Sequence, residues 1–221
     1  MLAKVYSCAV IGLEGQVVEV EVDHVNRGLP SFMLVGLPDA AIKESSERVR
    51  AAIKNSGLMF PYHRLTVNLA PADLRKVGPG YDLPIAVGVL AVSDQIPIEA
   101  LDRSMIVGEL SLDGSVRHVR GVLPIAALAR ANGFKTLFVP QVDAAEAALI
   151  PELKVIPVSN LADLVNHLHG VALIEVQVAV IPEASDFALS GYTNFAEIRG
   201  QEHVKRAVEV AAAGGHNVVI L

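Results

Sequence analysis

The sequence of 221 residues contains a single cysteine, Cys8, and no tryptophan. One cysteine excludes an intrachain disulfide, and no cluster of Cys and His has the spacing of zinc ligands. No run of about 18 apolar residues is present, so no segment is predicted to cross a membrane. Ser7, Gly12 and Glu14 interrupt the first apolar segment, which argues against a secretory signal peptide. These absences predict a cytoplasmic protein with no membrane partner and no bound metal.

Aromatic residues make up 5% and charged residues 19% of the sequence, whereas 52% is hydrophobic. This composition excludes a disordered protein and predicts a substantial core. The formal net charge of −6 argues against a protein that coats nucleic acid over its whole surface. The charge is unevenly spread, because residues 40–76 contain seven Lys and Arg against three acids, and residues 141–190 contain seven acids against one lysine.

Hydrophobic periodicity and turn residues predict a chain that alternates strands and helices. Val alternates with acidic residues over 18–23, which indicates a strand with one wet face. Strands are predicted at residues 3–11, 16–24, 31–37, 64–69, 105–112, 116–119, 136–139 and 154–158, and helices at 38–56, 83–92, 123–131, 142–149 and 161–169. Because a hairpin comes first and α/β alternation follows, the sequence predicts one α/β domain with a mixed sheet.

The stretch 68–93, NLAPADLRKVGPGYDLPIAVGVLAVS, is predicted to be the centre of this domain. Residues 85–92 are all apolar or Gly, which is typical of a helix buried on nearly all sides. Asp82 is predicted to be its N-cap, with Pro84 in the first turn. A helix N-terminus that opens onto a Gly- and Pro-rich loop can also bind an anion. If Asp82 only caps the helix, Asn should replace it at little cost and Ala at about 1 kcal/mol.

The helix predicted at 38–56 has its apolar residues on one face and its charged residues on the opposite face. If this region touches nucleic acid, its basic positions are predicted to make the contact. The candidates are Lys43, Arg50 and Lys54 on the helix, with Arg75 and Lys76 on the loop of the central stretch. No aromatic residue is interleaved with the helical positions, so the contacts are expected to be to phosphates and to weaken with salt. The alternative is a solvated face with i,i+4 ion pairs.

The last fifty residues change character. Residues 171–181 alternate in the manner of an edge strand, and residues 183–192 have the composition of a linker. A loop, a helix at 202–213, a Gly214-Gly215 stop and an apolar strand at 217–221 follow. A strand of this kind needs neighbours that the sequence does not supply. The sequence therefore predicts the beginning of a second domain.

Three long blocks resemble one known family. They are GLPDAAIKESSERVRAAIKNSG at 36–57, NLAPADLRKVGPGYDLPIAVGVL at 68–90 and FAEIRGQEHVKRAVEVAAAGGHNVVIL at 195–221. Together they resemble the magnesium-chelatase-like AAA+ ATPases of bacteria, the YifB/ComM family. The resemblance implies a two-layer, mixed-sheet domain with the fold of the Lon protease catalytic domain at 1–171, a linker at 172–194, and the start of an AAA+ domain at 195–221.

The same resemblance implies a hexameric ring that uses ATP and Mg²⁺ and acts on DNA, with branch migration during natural transformation as the associated process. The phosphate-loop pattern G-x-x-x-x-G-K-[ST] is absent from this sequence, so the chain is not expected to hydrolyse ATP by itself. Ile198, Gly200 and Gln201 are the residues that the family places beside adenine. A loop that merely caps the next helix is the alternative interpretation.

The resemblance to Lon implies a serine at the start of the central helix and a lysine from a later helix that activates it. Asp82 stands at the serine position, and the lysine position falls near Leu123 in RHVRGVLPIAALA, which has no lysine. The chain is therefore predicted to have no catalytic residue. Two alternatives remain: a protein-interaction module that uses the acidic residues of 141–190, and metal chelation on a tetrapyrrole, for which no residue pattern is found.

Overall fold

The computed structural model describes residues 2–12, 14–25, 29–180 and 195–220. The chain forms two compact units, Met1–Val180 and Ile181–Leu221. The strands are β1 (Leu2–Ile11), β2 (Glu14–Val25), β3 (Ser31–Val35), β4 (Arg64–Ala70), β5 (Ser104–Ile106), β6 (Glu109–Leu110), β7 (Val116–Arg117), β8 (Thr136–Pro140) and β9 (Lys154–Val158). The helices are α1 (Ala40–Lys43), α2 (Ser45–Asn55), α3 (Asp82–Val92), α4 (Val122–Ala131), α5 (Ala144–Ala147), α6 (Leu161–Leu168) and α7 (Glu202–Gly214).

Within the described ranges, seven strands form one mixed sheet in the order β3-β4-β2-β1-β5-β8-β9. β2 pairs antiparallel with both β1 and β4, and the remaining neighbours are parallel. β6 and β7 pair as a small separate hairpin. The predicted opening hairpin and the mixed sheet are therefore confirmed. The strand predicted at 105–112 divides into β5, which belongs to the main sheet, and β6, so the second hairpin is shorter than the predicted 105–119.

Helices cover both faces of half of the sheet. Along β8, Phe138 packs into a core with α2, α3 and α6, whereas Leu137 and Val139 pack into a second core with α4 and α5. Successive strand residues point to opposite faces, so the two cores lie on opposite sides. The predicted two-layer arrangement holds at β2 and β4, where one face of the sheet packs against helices. On the opposite face of these strands, Glu21 and Asn68 stay partly exposed.

The central helix is buried as predicted, since every residue of α3 is buried. The helix predicted at 38–56 forms in two pieces, because the chain turns at Glu44 between α1 and α2. At this break the carbonyl of Ala41 accepts a hydrogen bond from the Arg48 guanidinium at 2.9 Å. The side chain of Asp39 caps α1 by accepting from the Ile42 N–H at 2.9 Å.

Two predicted strands near the end of the chain do not form in the described residues. Residues 171–180 are extended without strand pairing, although the Gln177 N–H donates to the Val155 carbonyl at 2.9 Å. Residues 217–220 are exposed and irregular. An isolated segment has no ladder to satisfy its backbone groups, so apolar composition alone does not make it a strand. The predicted linker at 183–192 lies outside the described residues.

The second unit contains α7, which is predicted correctly to within one residue. Gly215 ends it in a left-handed conformation, with φ of 64°. Among the helices of the described ranges, none is long and apolar enough to cross a membrane.

Candidate functional site

Asp82 is the first residue of α3, and its side chain does not cap the helix. A short 3-10 turn at Pro79–Tyr81 leads directly into α3, and no side-chain cap bond is made there. The predicted N-cap is therefore wrong. The carboxylate instead accepts hydrogen bonds from the Ser45 hydroxyl, from Arg48 Nε at 2.7 Å and from the Leu110 N–H at 3.3 Å.

Arg48 is the charge partner of Asp82. Its Nη2 donates to Asp82 Oδ1 at 3.1 Å and to the Ser45 hydroxyl at 3.1 Å. Hydrogen bonding to Asp82 raises the pKa of Arg48 above its ordinary value. Because Asp82 is fully buried, its carboxylate ties α2, α3 and β6 together. This cluster is structural in character, since it offers no group to a ligand.

A cleft of about 1100 Å³ lies beside this cluster. Its lining comes from the end of β1, the loop before α3, and the segment from β6 to α4. His118 lies at this cleft, and its Nδ1 is 2.5 Å from the carboxylate of Asp143. The same carboxylate accepts from the Val119 N–H at 2.9 Å. Asp143 therefore fixes the segment that forms one wall.

The described residues of this cleft contain no serine–lysine dyad of the Lon kind. Leu123 is 38% exposed in the first turn of α4, where it supplies no base. Cys8 is the only cysteine, and burial raises the pKa of its thiol to about 11. A thiol with such a pKa is almost entirely protonated at neutral pH and is a poor nucleophile.

The predicted basic strip is only partly present. Lys43 and Lys54 are exposed, but the break at Glu44 separates Lys43 from α2. Arg75 is exposed and lines the cleft. Lys76 is a wrong candidate for DNA contact, because it is fully buried and its Nζ donates to the Pro71 carbonyl. Burial lowers the pKa of Lys76.

Aromatic residues lie beside the basic face of α2, although none is interleaved with the helical positions themselves. Arg50 Cζ lies 5.0 Å from the ring centroid of Phe60, and Lys54 Nζ lies 5.8 Å from that of Tyr62. Both rings belong to the loop that joins α2 to β4. The sequence feature that could have indicated these rings is the cluster MFPYH at 59–63. It lies outside the helix and its periodicity, but it is adjacent in space to the last turn of α2.

This loop and its surroundings form a second concavity of about 700 Å³, which we call the aromatic groove. Its lining is His24, Lys54, Leu58, Met59, Phe60, Pro61, Tyr62, His63, Val92, Ser93, Asp94 and Gln95. Within this groove, the rings of His24 and His63 stack, with their centroids 5.4 Å apart. The groove therefore presents aromatic rings beside one lysine, Lys54, and one exposed acid, Asp94.

Gln95 holds the loop of the aromatic groove in position. Its Oε1 accepts from the Met59 N–H at 2.9 Å, and its Nε2 donates to the Met59 carbonyl at 2.7 Å. The carbonyl of Gln95 in turn contacts His169 Nε2 at 2.8 Å. A loop held through its backbone presents its side chains with little ordering cost.

The remaining predicted residues lie elsewhere. Ile198, Gly200 and Gln201 are exposed in the turn before α7, where Gly200 and Gln201 have φ of 74° and 55°. Their place beside adenine stays a prediction. In the described part of the acidic segment 141–190, Asp143 is buried, whereas Glu146, Glu152, Asp163 and Glu175 are exposed, and Glu152 pairs with Arg130 at 3.3 Å. The contact surface that the interaction-module alternative assigns to these acids stays a prediction.

Comparison with known proteins supports the resemblance seen in the sequence. The family model described as subunit ChlI of Mg-chelatase matches residues 18–143, and a model described as magnesium chelatase, subunit ChlI, matches residues 194–221. The chain belongs to this ChlI family of Mg-chelatase. Within it, the chain is 41% identical over 221 residues to competence protein ComM of Haemophilus influenzae, which covers 100% of this chain and 43% of that protein.

Two further relatives extend the comparison. The YifB protein of Salmonella typhimurium is 40% identical over 221 residues, covering 100% of this chain and 42% of that protein. The Lon protease of Aster yellows witches'-broom phytoplasma is 27% identical over 167 residues, covering 70% of this chain and 21% of that protein. The chain is thus a ComM- and YifB-like protein with a Lon-like first domain. It spans less than half the length of ComM and YifB, although both match this chain from end to end.

Proposed function

We propose that this chain is the accessory and assembly region of a longer AAA+ ATPase that acts on DNA, as a hexameric branch-migration or helicase motor in natural transformation and recombination. The similarity to competence protein ComM over 221 residues supports this proposal. The match of residues 194–221 to a second chelatase model supports the start of a motor domain after the Lon-like one. In this proposal ATP and Mg²⁺ are cofactors of the longer protein, as the resemblance to AAA+ ATPases implies, because a phosphate loop holds the nucleotide phosphates in such proteins.

The observation that carries the proposed DNA contact is the basic face of α2 with the aromatic residues beside it. Lys54 is exposed and lies over the exposed ring of Tyr62, whereas Arg50 is half-buried and lies over Phe60, which is buried, so only the Lys54–Tyr62 pair is open to a ligand. Lys and Arg beside exposed aromatic rings contact phosphates and bases of nucleic acid. The cleft beside the Asp82 cluster lacks the serine and the lysine of Lon, since position 82 is Asp and position 123 is Leu, and its exposed Arg75 stays a candidate for phosphate contact.

Reversing charge at Lys43 and Lys54 is expected to weaken DNA binding by the full-length protein. The variant Lys43→Glu/Lys54→Glu should bind a DNA duplex about 10-fold more weakly, and the slope of log affinity against log salt should flatten by about 1 for each phosphate that the protein no longer neutralises. Arg50 is left in place because its side chain packs against Phe60. Fluorescence anisotropy across a salt series measures both quantities.

Lys135→Glu/Lys154→Glu is the matched control, because both lysines are exposed and the net charge changes equally. The control should keep most of the affinity and the salt slope of the unchanged protein. If both double variants weaken binding equally, the effect is general electrostatics and the α2 surface is not the contact. If neither changes binding, the interaction-module alternative, in which the domain contacts only protein, replaces this proposal.

A further inference from the structure

The aromatic groove presents an open ring beside a cation. Tyr62 is 75% exposed and Met59 is 74% exposed, which is unusual for large side chains beside a well-formed core. Lys54 Nζ lies 5.8 Å from the Tyr62 ring centroid, so the ring and the charge can engage one ligand together. The ring of Tyr62 and the thioether of Met59 can contact the flat face of a nucleobase, and the ammonium group of Lys54 can contact a phosphate.

The volume of the groove fits an unpaired nucleotide. Its volume of about 700 Å³ falls in the range of about 300–1,000 Å³ typical of pockets for small ligands. Bases in a duplex are stacked on one another and cannot enter such a pocket unless they unstack. Bases in a single strand have free faces and stack on exposed aromatic rings. The groove therefore suits a single strand better than a duplex.

The groove is also positioned before a ligand arrives. Gln95 fixes the backbone of Met59 on both its N–H and its carbonyl. Phe60 is buried, and its ring centroid lies 5.9 Å from that of Phe32 in β3. The loop is therefore anchored to the sheet on its inner side. The outer residues Met59 and Tyr62 face solvent. This division into anchored and presented residues indicates a recognition surface.

We infer, on the basis of the proposed contact with DNA, that the aromatic groove binds single-stranded DNA by stacking a base on Tyr62 while Lys54 pairs with an adjacent phosphate. The recognition is independent of base identity, because every base has a stacking face. This assigns the strand-binding role to the loop between α2 and β4, and it leaves the duplex contact to the charges of α1 and α2.

Replacing Tyr62 tests the stacking contact separately from the charges. Tyr62→Ala in the full-length protein should weaken binding of an oligothymidine strand between about 5-fold and about 100-fold and leave duplex binding within about 2-fold. Tyr62→Phe should restore single-strand binding, since stacking uses the ring and not the hydroxyl. An abasic strand of equal length should bind the Ala variant and the unchanged protein equally.

The outcomes separate this inference from the proposed function. If Tyr62→Ala leaves single-strand affinity unchanged while Lys43→Glu/Lys54→Glu weakens duplex binding, the stacking site is wrong and the DNA contact stands. If neither variant affects any DNA, both fail. If Tyr62→Ala changes only the particle mass of the assembly, the groove is an interface between copies and the inference is overturned.

Discussion

Replacing Asp82 with Asn is expected to lower the free energy of unfolding by about 3 kcal/mol. The carboxylate is fully buried and is 2.7 Å from Arg48 Nε, so its removal leaves a guanidinium facing a neutral amide. The Ser45 hydroxyl and the Leu110 N–H also lose a charged acceptor. Urea unfolding followed by circular dichroism measures the loss, and Asp102→Asn, at an exposed position, is the control with little expected effect.

The double variant Arg48→Met/Asp82→Asn shows whether the pair itself is responsible. Removing both charges should cost clearly less than the sum of the two single losses, because neither partner is then buried without the other. A loss near 0.5 kcal/mol or less for Asp82→Asn alone would mean that Asn satisfies the site about as well as Asp does. That result would show that the charge of the Asp82 carboxylate contributes little to the stability of the first unit.

Gly36→Ala is expected to destabilise the first unit by about 3 kcal/mol. Gly36 follows β3 with φ of 97°, and a Cβ there would lie 2.2 Å from the carbonyl oxygen of Leu69. Both the conformation and the backbone overlap penalise any side chain. The sheet edge would have to shift, and with it the Lys76 N–H that donates to the Leu37 carbonyl at 3.4 Å.

Gly57→Ala separates these two penalties. Gly57 has φ of 76°, and no atom lies within 4 Å of an added Cβ, so only the conformational cost of about 1–2 kcal/mol remains. Thermal unfolding of the two variants should therefore give a larger loss for Gly36→Ala. Equal losses would show that β3 and β4 tolerate a side chain at this approach and that the contact with Leu69 is not a constraint.

Local periodicity predicts most of the first unit. The alternation of Val with acids marks β2, and the unbroken apolar run at 85–92 marks α3, because each period reports which faces are buried. The break at Glu44 has no such signal, since it depends on Arg48 reaching the carbonyl of Ala41 and the carboxylate of Asp82. Residues 37 apart in sequence, Ser45 and Asp82, meet only through the tertiary fold.

Of the candidate DNA-binding site, the sequence alone predicts the positions of charged helical residues and not those of the aromatic loop residues. Helical spacing predicts Lys54, but Tyr62 lies in a loop whose direction no periodicity determines. The same limitation explains Lys76, which sits in a basic stretch and yet packs inward on the Pro71 carbonyl. Sequence spacing assigns a side chain to a helix face, whereas loop side chains are placed by the contacts of the folded chain.

Photochemical crosslinking tests the central claim, contact between the aromatic groove and DNA, most directly. A single strand that contains 5-bromodeoxyuridine is bound to the full-length protein, irradiated, and digested with trypsin before mass spectrometry. Cleavage after Lys54 and Arg64 releases residues 55–64, which contain Met59, Phe60 and Tyr62. The crosslinked base is predicted on this peptide, at Tyr62, and absent in Tyr62→Ala. Crosslinks confined to other peptides, with 55–64 recovered unmodified, would contradict it.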